Sequence, residues 1–395
     1  MKFLSVIDSM NPRGGGPSEC ARQLQEDLLS LGQQVDFLTA DGIDRPWTPS
    51  DLANRGTRSG SGWGASLLRL NYFRRRIAEL QDQYDLLILH GIWGLPVAGM
   101  RLAWNGHSSY AVVPHGMLDP YFIRFFPVKH IKKNLAYGTV VAPVLRDAAA
   151  VLFTCDEERR LAANSYKPAA GRRTVIRYGI KDQSATAANA SEEIRSVLAP
   201  LARKDALLFL SRIHPKKGCD DLIEAFAVAC KAHPDTHLVI AGPDDVGWTP
   251  KLKNLANHLQ IEDRLTWLGP VFAPDKWFLY KNTSALILPS HMESFGMVVA
   301  EALASGQPVL VSDKVNIHRY ITDAGAGFAA PDTVKGAVEL MIRWLSTSRT
   351  RRTEMSRAAV ALYRQRFQSL SMAEDILSLA VSLRSTDVPA PAAVC

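Results

Sequence analysis

The stretch 291-HMESFGMVVAEALASGQPVLVSD-313 decides the reading of this chain. A short apolar run, SALILPS, precedes it, and a turn holding Glu293 and Gly296 leads into an apolar helix. A second acid, Glu301, lies one to two turns inside that helix. Burying a carboxylate without a partner is costly, so Glu301 must serve something. A strand, a glycine turn and a helix start form an anion cradle, because the first helical amides have no partner of their own. The amides of Ser294, Phe295, Gly296, Met297 and Val298 lie there, and Gly296 lets backbone approach a ligand. A carboxylate one turn further can accept the paired hydroxyls of a ribose.

Working outward, the same alternation fills the chain. KFLSVID, QVDFLTA, DLLILHG, YAVVPHG and AAVLFTC read as strands before Lys181, and SECARQLQEDLLSLG as a helix. Beyond it DALLFLS, THLVIAGP, RLTWLGP, SALILPS and QPVLVSD alternate with the helical CDDLIEAFAVACKA, KLKNLANHL and DKWFLYKN. Continuous apolar strand runs between helices predict two doubly wound parallel α/β domains. The Ala/Ser-rich stretch after Lys181 reads as a linker. The expected division is 1–182, a linker at 183–204, 205–365, a final helix at 366–384 and a disordered tail at 385–395.

With 395 residues, 47% hydrophobic and 22% charged, the composition is that of a globular protein of two domains. No apolar run approaches the ~20 residues of a membrane span. The opening MKFLSVID is too short an apolar run for a signal peptide, and Asp8 interrupts it. Five scattered cysteines without CxxC spacing read as reduced thiols in a cytoplasmic protein, and no metal site is expected from spacing. Residues 1–182 hold 23 Lys and Arg against 17 Asp and Glu, or +6; the remainder holds 23 against 22, or +1. A basic first half suits an anionic partner, and equally a solvated basic surface.

Ligands of such sheets bind beyond the carboxyl ends of the strands. The candidates there are Asn11 to Gly16, His90-Gly91, His115-Gly116, Ser211-Arg212, Gly242-Pro243, Gly269 and the 290–296 turn. In 211-SRIHPKKG-218 three cations crowd a helix start, where the helix dipole opposes them. A diphosphate held by Arg212 and Lys217 explains them; a basic surface turn is the rival. His115 and His90 share a His-Gly context, and each has the rival reading of a satisfied core histidine.

SRIHPKKGCDDLIEAF and HMESFGMVVAEALASGQPVLVSD resemble the two signature segments of the GT4-type retaining glycosyltransferases of the GT-B fold. Glu293 and Glu301 match that family's Glu-x7-Glu motif. The resemblance covers the second half strongly and the first half loosely. It implies two Rossmann-like domains facing a central cleft, with a C-terminal helix crossing back to the first. It implies Arg212 and Lys217 on the donor diphosphate, Glu301 on the ribose, and Glu293 and His115 on the transferred sugar. Gly14, Gly15 and Gly16 match the family's glycine loop, so Gly15 and Gly16 join the donor-binding set. Tyr178 replaces the Asn that many members carry in RYGI. Asn11, His90 and Asp119 are the acceptor-side candidates. The donor is a UDP- or GDP-linked sugar and no metal cofactor is implied. The acceptor is a glycan or a polyprenyl-diphosphate-linked oligosaccharide of bacterial surface polysaccharide synthesis, such as exopolysaccharide or O-antigen.

The basic-aromatic stretches Leu67–Leu80 and Tyr121–Tyr137 suit peripheral contact with the inner face of a membrane. The rival is an amphipathic helix packed on its own sheet. A nucleotide-sugar epimerase and a non-catalytic nucleotide-sugar-binding subunit stay as alternatives. A nucleic-acid binder, prompted by the pI near 9.1, lacks any recognised motif.

Overall fold

The computed structural model describes residues 1–11, 15–41, 63–106, 109–121, 133–165 and 172–386. Gly14, positions 122–132 of the second basic-aromatic stretch and 387–395 of the expected tail lie outside them. The chain divides into two compact units, Met1–Tyr178 with Ser369–Cys395, and Gly179–Gln368.

The first unit carries β1 (Lys2–Val6), β2 (Gln34–Leu38), β3 (Leu86–His90), β4 (Tyr110–Val113), β5 (Ala150–Phe153) and β6 (Arg173–Val175). They form one parallel sheet in the order β2-β1-β3-β4-β5-β6. Its helices are α1 (Gly16–Ser30), α2 (Trp63–Leu80), α3 (Leu95–Ala103), α4 (Ala142–Asp147) and α5 (Asp156–Ala162). β3 and β4 are buried on both faces, which is why they read as unbroken apolar runs. Leu4, Leu87, Leu89 and Val112 share one cluster with Phe73, Ile77 and Leu80 of α2. Each such side chain contributes about 1.5–3 kcal/mol by burial. α2 therefore packs on its own unit, while Leu67 and Leu68 are 66% and 72% exposed near the exposed Arg74 and Arg75.

The second unit carries β7 (Asp205–Leu210), β8 (Thr236–Ala241), β9 (Leu265–Gly269), β10 (Ala285–Leu288), β11 (Val309–Ser312) and β12 (Gly327–Ala330). Their order is β12-β11-β10-β7-β8-β9, again all parallel. The helices are α6 (Glu192–Leu198), α7 (Cys219–Ala229), α8 (Thr249–His258), α9 (Asp275–Asn282), α10 (Met297–Ala304), α11 (His318–Asp323), α12 (Val334–Leu345) and α13 (Arg349–Leu362). A last helix, α14 (Ser369–Thr386), belongs to the first unit and packs on α1.

Residues 183–204, read from the sequence as a linker, are folded into the second unit. They form a 3-10 turn at Ser184–Asn189 and then α6. The reason is local: Ser191 caps α6 through the Ile194 amide, and Ala187, Ile194 and Leu198 are buried. The Ser191 hydroxyl also donates to Asp275 on α9 at 2.8 Å. A short alanine-rich turn has too few apolar positions to show a period.

In both sheets the order reverses once, between β1 and β3 and between β7 and β10. A crevice opens beyond the carboxyl ends at such a reversal. Among the described residues no helix is long and apolar enough to cross a membrane.

Candidate active site

In the second unit the turns after β7 and β10 are side by side, because those strands pair directly. The His291 amide donates to the Lys216 carbonyl at 2.9 Å and fastens the two turns. Lys217, only 8% exposed, is ion-paired to Glu293. Glu293 is fixed from both sides by its backbone. Its amide donates to Lys314 and its carbonyl accepts from the Asn316 amide, each at 2.9 Å. Arg212 is exposed in the turn after β7 and makes no ion pair among the described residues. Burial first, then the cations Arg212, Lys216 and Lys217, hold the His214 imidazole below its ordinary value. His214 accepts from the Lys216 amide at 3.1 Å and shapes the turn.

Gly296 precedes α10 in the left-handed region, at φ 79°. A Cβ there would meet Glu293 Cγ and Val299 Cγ2 at 3.2 Å, so glycine keeps the turn tight. Met297 and Val298 open the helix and are half-buried, while Phe295 is buried with its ring edge-on to Phe367 at 5.5 Å. Ser294 is half-buried in the same turn.

Glu301 is 7% exposed and not alone. Lys276 donates to its Oε1 at 2.7 Å and the Tyr280 hydroxyl to its Oε2 at 2.8 Å. Burial first, then the carboxylate, push the Tyr280 phenol well above its ordinary value, so it stays a donor. A carboxylate offers about four acceptor positions. Among the described residues two are taken, one on each oxygen. Sequence reasoning missed Lys276 and Tyr280; their spacing of four on α9 was the available signal, since it puts both on one helix face.

Gly242 closes β8 with φ 141°, and a Cβ there would lie 1.7 Å from the Ser211 carbonyl oxygen. The strand end can take only glycine. Asp244 follows and accepts the Thr249 and Trp248 amides, at 2.7 and 2.9 Å. Those amides hold its carboxyl down at about 2.

In the first unit the carboxyl edge is of a different kind. Gly15, with φ 79°, precedes α1, and Gly16 is its first residue. The Ser18 hydroxyl donates to the Asn11 and Gly15 carbonyls at 3.1 and 3.0 Å and holds the loop ends together. His90 ends β3 and His115 lies in the turn after β4. Their Nδ1 and Nε2 atoms are 3.1 Å apart. Burial holds His90 at about 4. Burial first, then the His90 ring, hold His115 well below its ordinary value. Both rings are neutral near pH 7. The Tyr178 ring is edge-on to His115 at 6.3 Å. Asp119 is buried and accepts the Tyr121 amide at 2.8 Å.

Sequence reasoning also missed Glu158. This buried acid on α5 accepts the Gly116 amide at 2.7 Å and the Thr154 amide and hydroxyl at 2.8 and 2.6 Å. Burial raises its carboxyl above the ordinary range, and the Thr154 and Gly116 bonds oppose the rise. It ties the His115 turn to the end of β5. Its signal was hidden in the triplet Asp156–Glu158, which reads as a charged helix start.

The structure thus gathers Lys217, Glu293 and the α10 start at one edge, with Glu301 on the same helix. It gathers His90 and His115 at the other. Asn11, Gly15, Gly16 and Asp119 all belong to the first unit. The parallel sheets, each reversing at its first strand, define a GT-B type of molecule.

Comparisons with known proteins agree. The family model described as glycosyl transferases group 1 matches residues 190–361, and the glycosyl transferase 4-like domain matches 15–179. An alpha-monoglucosyldiacylglycerol synthase of Streptococcus pneumoniae is 27% identical over 86% of this chain and 77% of its own length. A D-inositol 3-phosphate glycosyltransferase of Mycolicibacterium gilvum is 33% identical over 49% of this chain; the match spans 46% of that relative. Among solved structures, sucrose-phosphate synthase from Thermosynechococcus elongatus superposes with a TM-score of 0.77 at 18% identity, covering 98% of this chain and 100% of that one. HepE from Anabaena, solved with UDP and glucose, does so with 0.67 at 19%, covering 97% and 100%. The chain belongs to the GT4-type glycosyltransferases, transferases of the hexosyl class, and has the GT-B fold.

Proposed function

We propose that this enzyme moves a hexosyl group from a UDP- or GDP-linked sugar to a glycan or polyprenyl-diphosphate-linked oligosaccharide, with retention at the anomeric carbon, in bacterial surface polysaccharide synthesis. The observation that carries this reading is the paired-acid arrangement of the second unit: Lys217 on Glu293, and Lys276 and Tyr280 on Glu301. The donor diphosphate lies against Arg212, Lys217 and the α10 amides, and the ribose hydroxyls donate to the open positions of Glu301. Fixed positive groups aimed at the leaving phosphate oxygen supply most of the catalysis, and no metal is required at that place. The HepE structure, solved with UDP and glucose, favours UDP as the first donor to test.

The bond from the anomeric carbon to the diphosphate oxygen breaks through an oxocarbenium-like state. The acceptor hydroxyl attacks from the same face, and its proton passes to the leaving phosphate. No enzyme nucleophile is assigned. His115, a neutral imidazole, orients the sugar together with Glu293, while Asn11, His90 and Asp119 belong to the acceptor side.

A lipid-borne acceptor is in keeping with the relative named for a glucosyldiacylglycerol product. It is also in keeping with Leu67 and Leu68, exposed near Arg74 and Arg75. That face is the contact with the inner leaflet, and the enzyme works in the cytoplasm. Incubation with UDP- and GDP-sugars and a polyprenyl-diphosphate acceptor tests the reading. Equimolar nucleoside diphosphate and glycosylated acceptor, with the donor's anomeric configuration by NMR, support it. Conversion of the free nucleotide sugar without such release means an epimerase.

A further inference from the structure

Cys20 of α1, His90 and His115 come from three separate elements of the first unit. The Cys20 Sγ and one ring nitrogen of each histidine all lie within 4.8 Å of one another. His90 is 5% exposed, and its Nε2 has no hydrogen-bond partner among the described residues. Such buried groups are few in folded proteins, and each one needs a reason. Met372 of α14 adds its sulfur 4.0 Å from the Cys20 Sγ. A thiol and a thioether are soft donors and two imidazoles borderline ones, with no carboxylate among them. That chemistry selects Cu⁺ and Zn²⁺ over Mg²⁺ or Ca²⁺.

We propose that Cys20, His90, His115 and Met372 form a binding site for a thiophilic d10 cation, Cu⁺ or Zn²⁺. Metal–sulfur and metal–nitrogen bonds of about 2.3 and 2.0–2.1 Å place two donors of one ion no more than about 4.4 Å apart. The present spread needs side-chain adjustment of under an ångström or so. On binding, the thiol proton leaves to solvent as the Sγ–metal bond forms. The hydrogen bond between His90 and His115 gives way to two metal–nitrogen bonds. Nothing is oxidised or reduced. His115 is the least buried of the three, so the ion enters past it. The ion then occupies the imidazole that orients the sugar and switches transfer off reversibly. That consequence rests on the proposed function; the binding does not.

The test is titration of the full chain with Cu⁺ under anaerobic conditions, and separately with Zn²⁺, each against a chromogenic chelator. One ion per chain is expected with a dissociation constant of about 1 μM or tighter. Cys20→Ala is expected to weaken it at least tenfold, and Cys230→Ala in the second unit to leave it unchanged. Cys20→Ser serves where Cys20→Ala does not fold, as judged by circular dichroism. Met372→Leu keeps the side-chain volume and lowers Cu⁺ affinity. Failure of both ions to bind, or binding that survives loss of the Cys20 thiol, overturns the site.

Discussion

At the carboxyl edge of the second sheet the polar side chains are charged and paired. Lys217 meets Glu293, and Lys276 with Tyr280 meets Glu301. At the same edge of the first sheet two imidazoles face each other at 3.1 Å and are kept neutral by burial. The two sheets differ in order, with one strand on the far side of β1 in the first and two on that side of β7 in the second, but each reverses at its first strand. The chemical difference lies in what the strand ends carry. Topology makes the crevices, and side chains make one edge charged and the other neutral. A neutral imidazole can give or accept a hydrogen bond without drawing in phosphate.

The largest way to break the comparison is at the backbone. Gly242→Ala drives a Cβ against the Ser211 carbonyl at 1.7 Å, and no flexible side chain is there to yield. A loss of at least about 4 kcal/mol is expected in urea unfolding. Gly15→Ala meets nothing within 4 Å among the described residues and suffers its φ of 79°, about 1–3 kcal/mol. Equal losses at both would mean that the two edges are not built differently.

Next is Glu158→Ala. It strands the Gly116 amide and the Thr154 amide and hydroxyl, all buried. A fall of about 3 kcal/mol in stability is expected, because unmade buried hydrogen bonds cost about 1–3 kcal/mol each. Nucleotide binding in the second unit should be unchanged. A smaller effect is expected for Tyr280→Phe, which frees one side of Glu301. Nucleotide affinity should fall about fivefold, near 1 kcal/mol, with melting temperature little altered. Unchanged affinity would make Tyr280 a packing residue only.

The smallest concerns pH. Asp244 is held at about 2 by the amides of Thr249 and Trp248. Its folded value is depressed, so its contribution is full above the ordinary carboxylate range and is lost as pH falls from about 4 to 2. Asp244→Asn should flatten that part of the stability profile. An unaltered slope would remove Asp244 as the anchor of the loop after β8.

Much of this was legible in the sequence. The apolar runs of β3, β7 and β10 announced parallel strands, because a strand covered on both faces shows no alternation. The seven residues between Glu293 and Glu301 fixed a turn and a helix start between two acids. What stayed hidden depended on partners from elsewhere in the chain. Lys276 and Tyr280 lie on α9, whose charged and aromatic residues give no clear apolar stripe. Glu158 was masked by two acids before it. Cys20, His90 and His115 share no spacing, since three elements bring them together. The short β6 and β12 are only partly buried and carry a weak apolar signal.

The central claim is that the edge carrying Glu301 holds a nucleotide. Calorimetric titration of UDP, GDP and ADP into wild type and Glu301→Ala tests it most directly. One nucleotide should bind, and Glu301→Ala should weaken it at least tenfold, about 1.4 kcal/mol. If none binds, or the variant binds as tightly as wild type, Glu301 does not hold a ribose and the second edge is not a donor site.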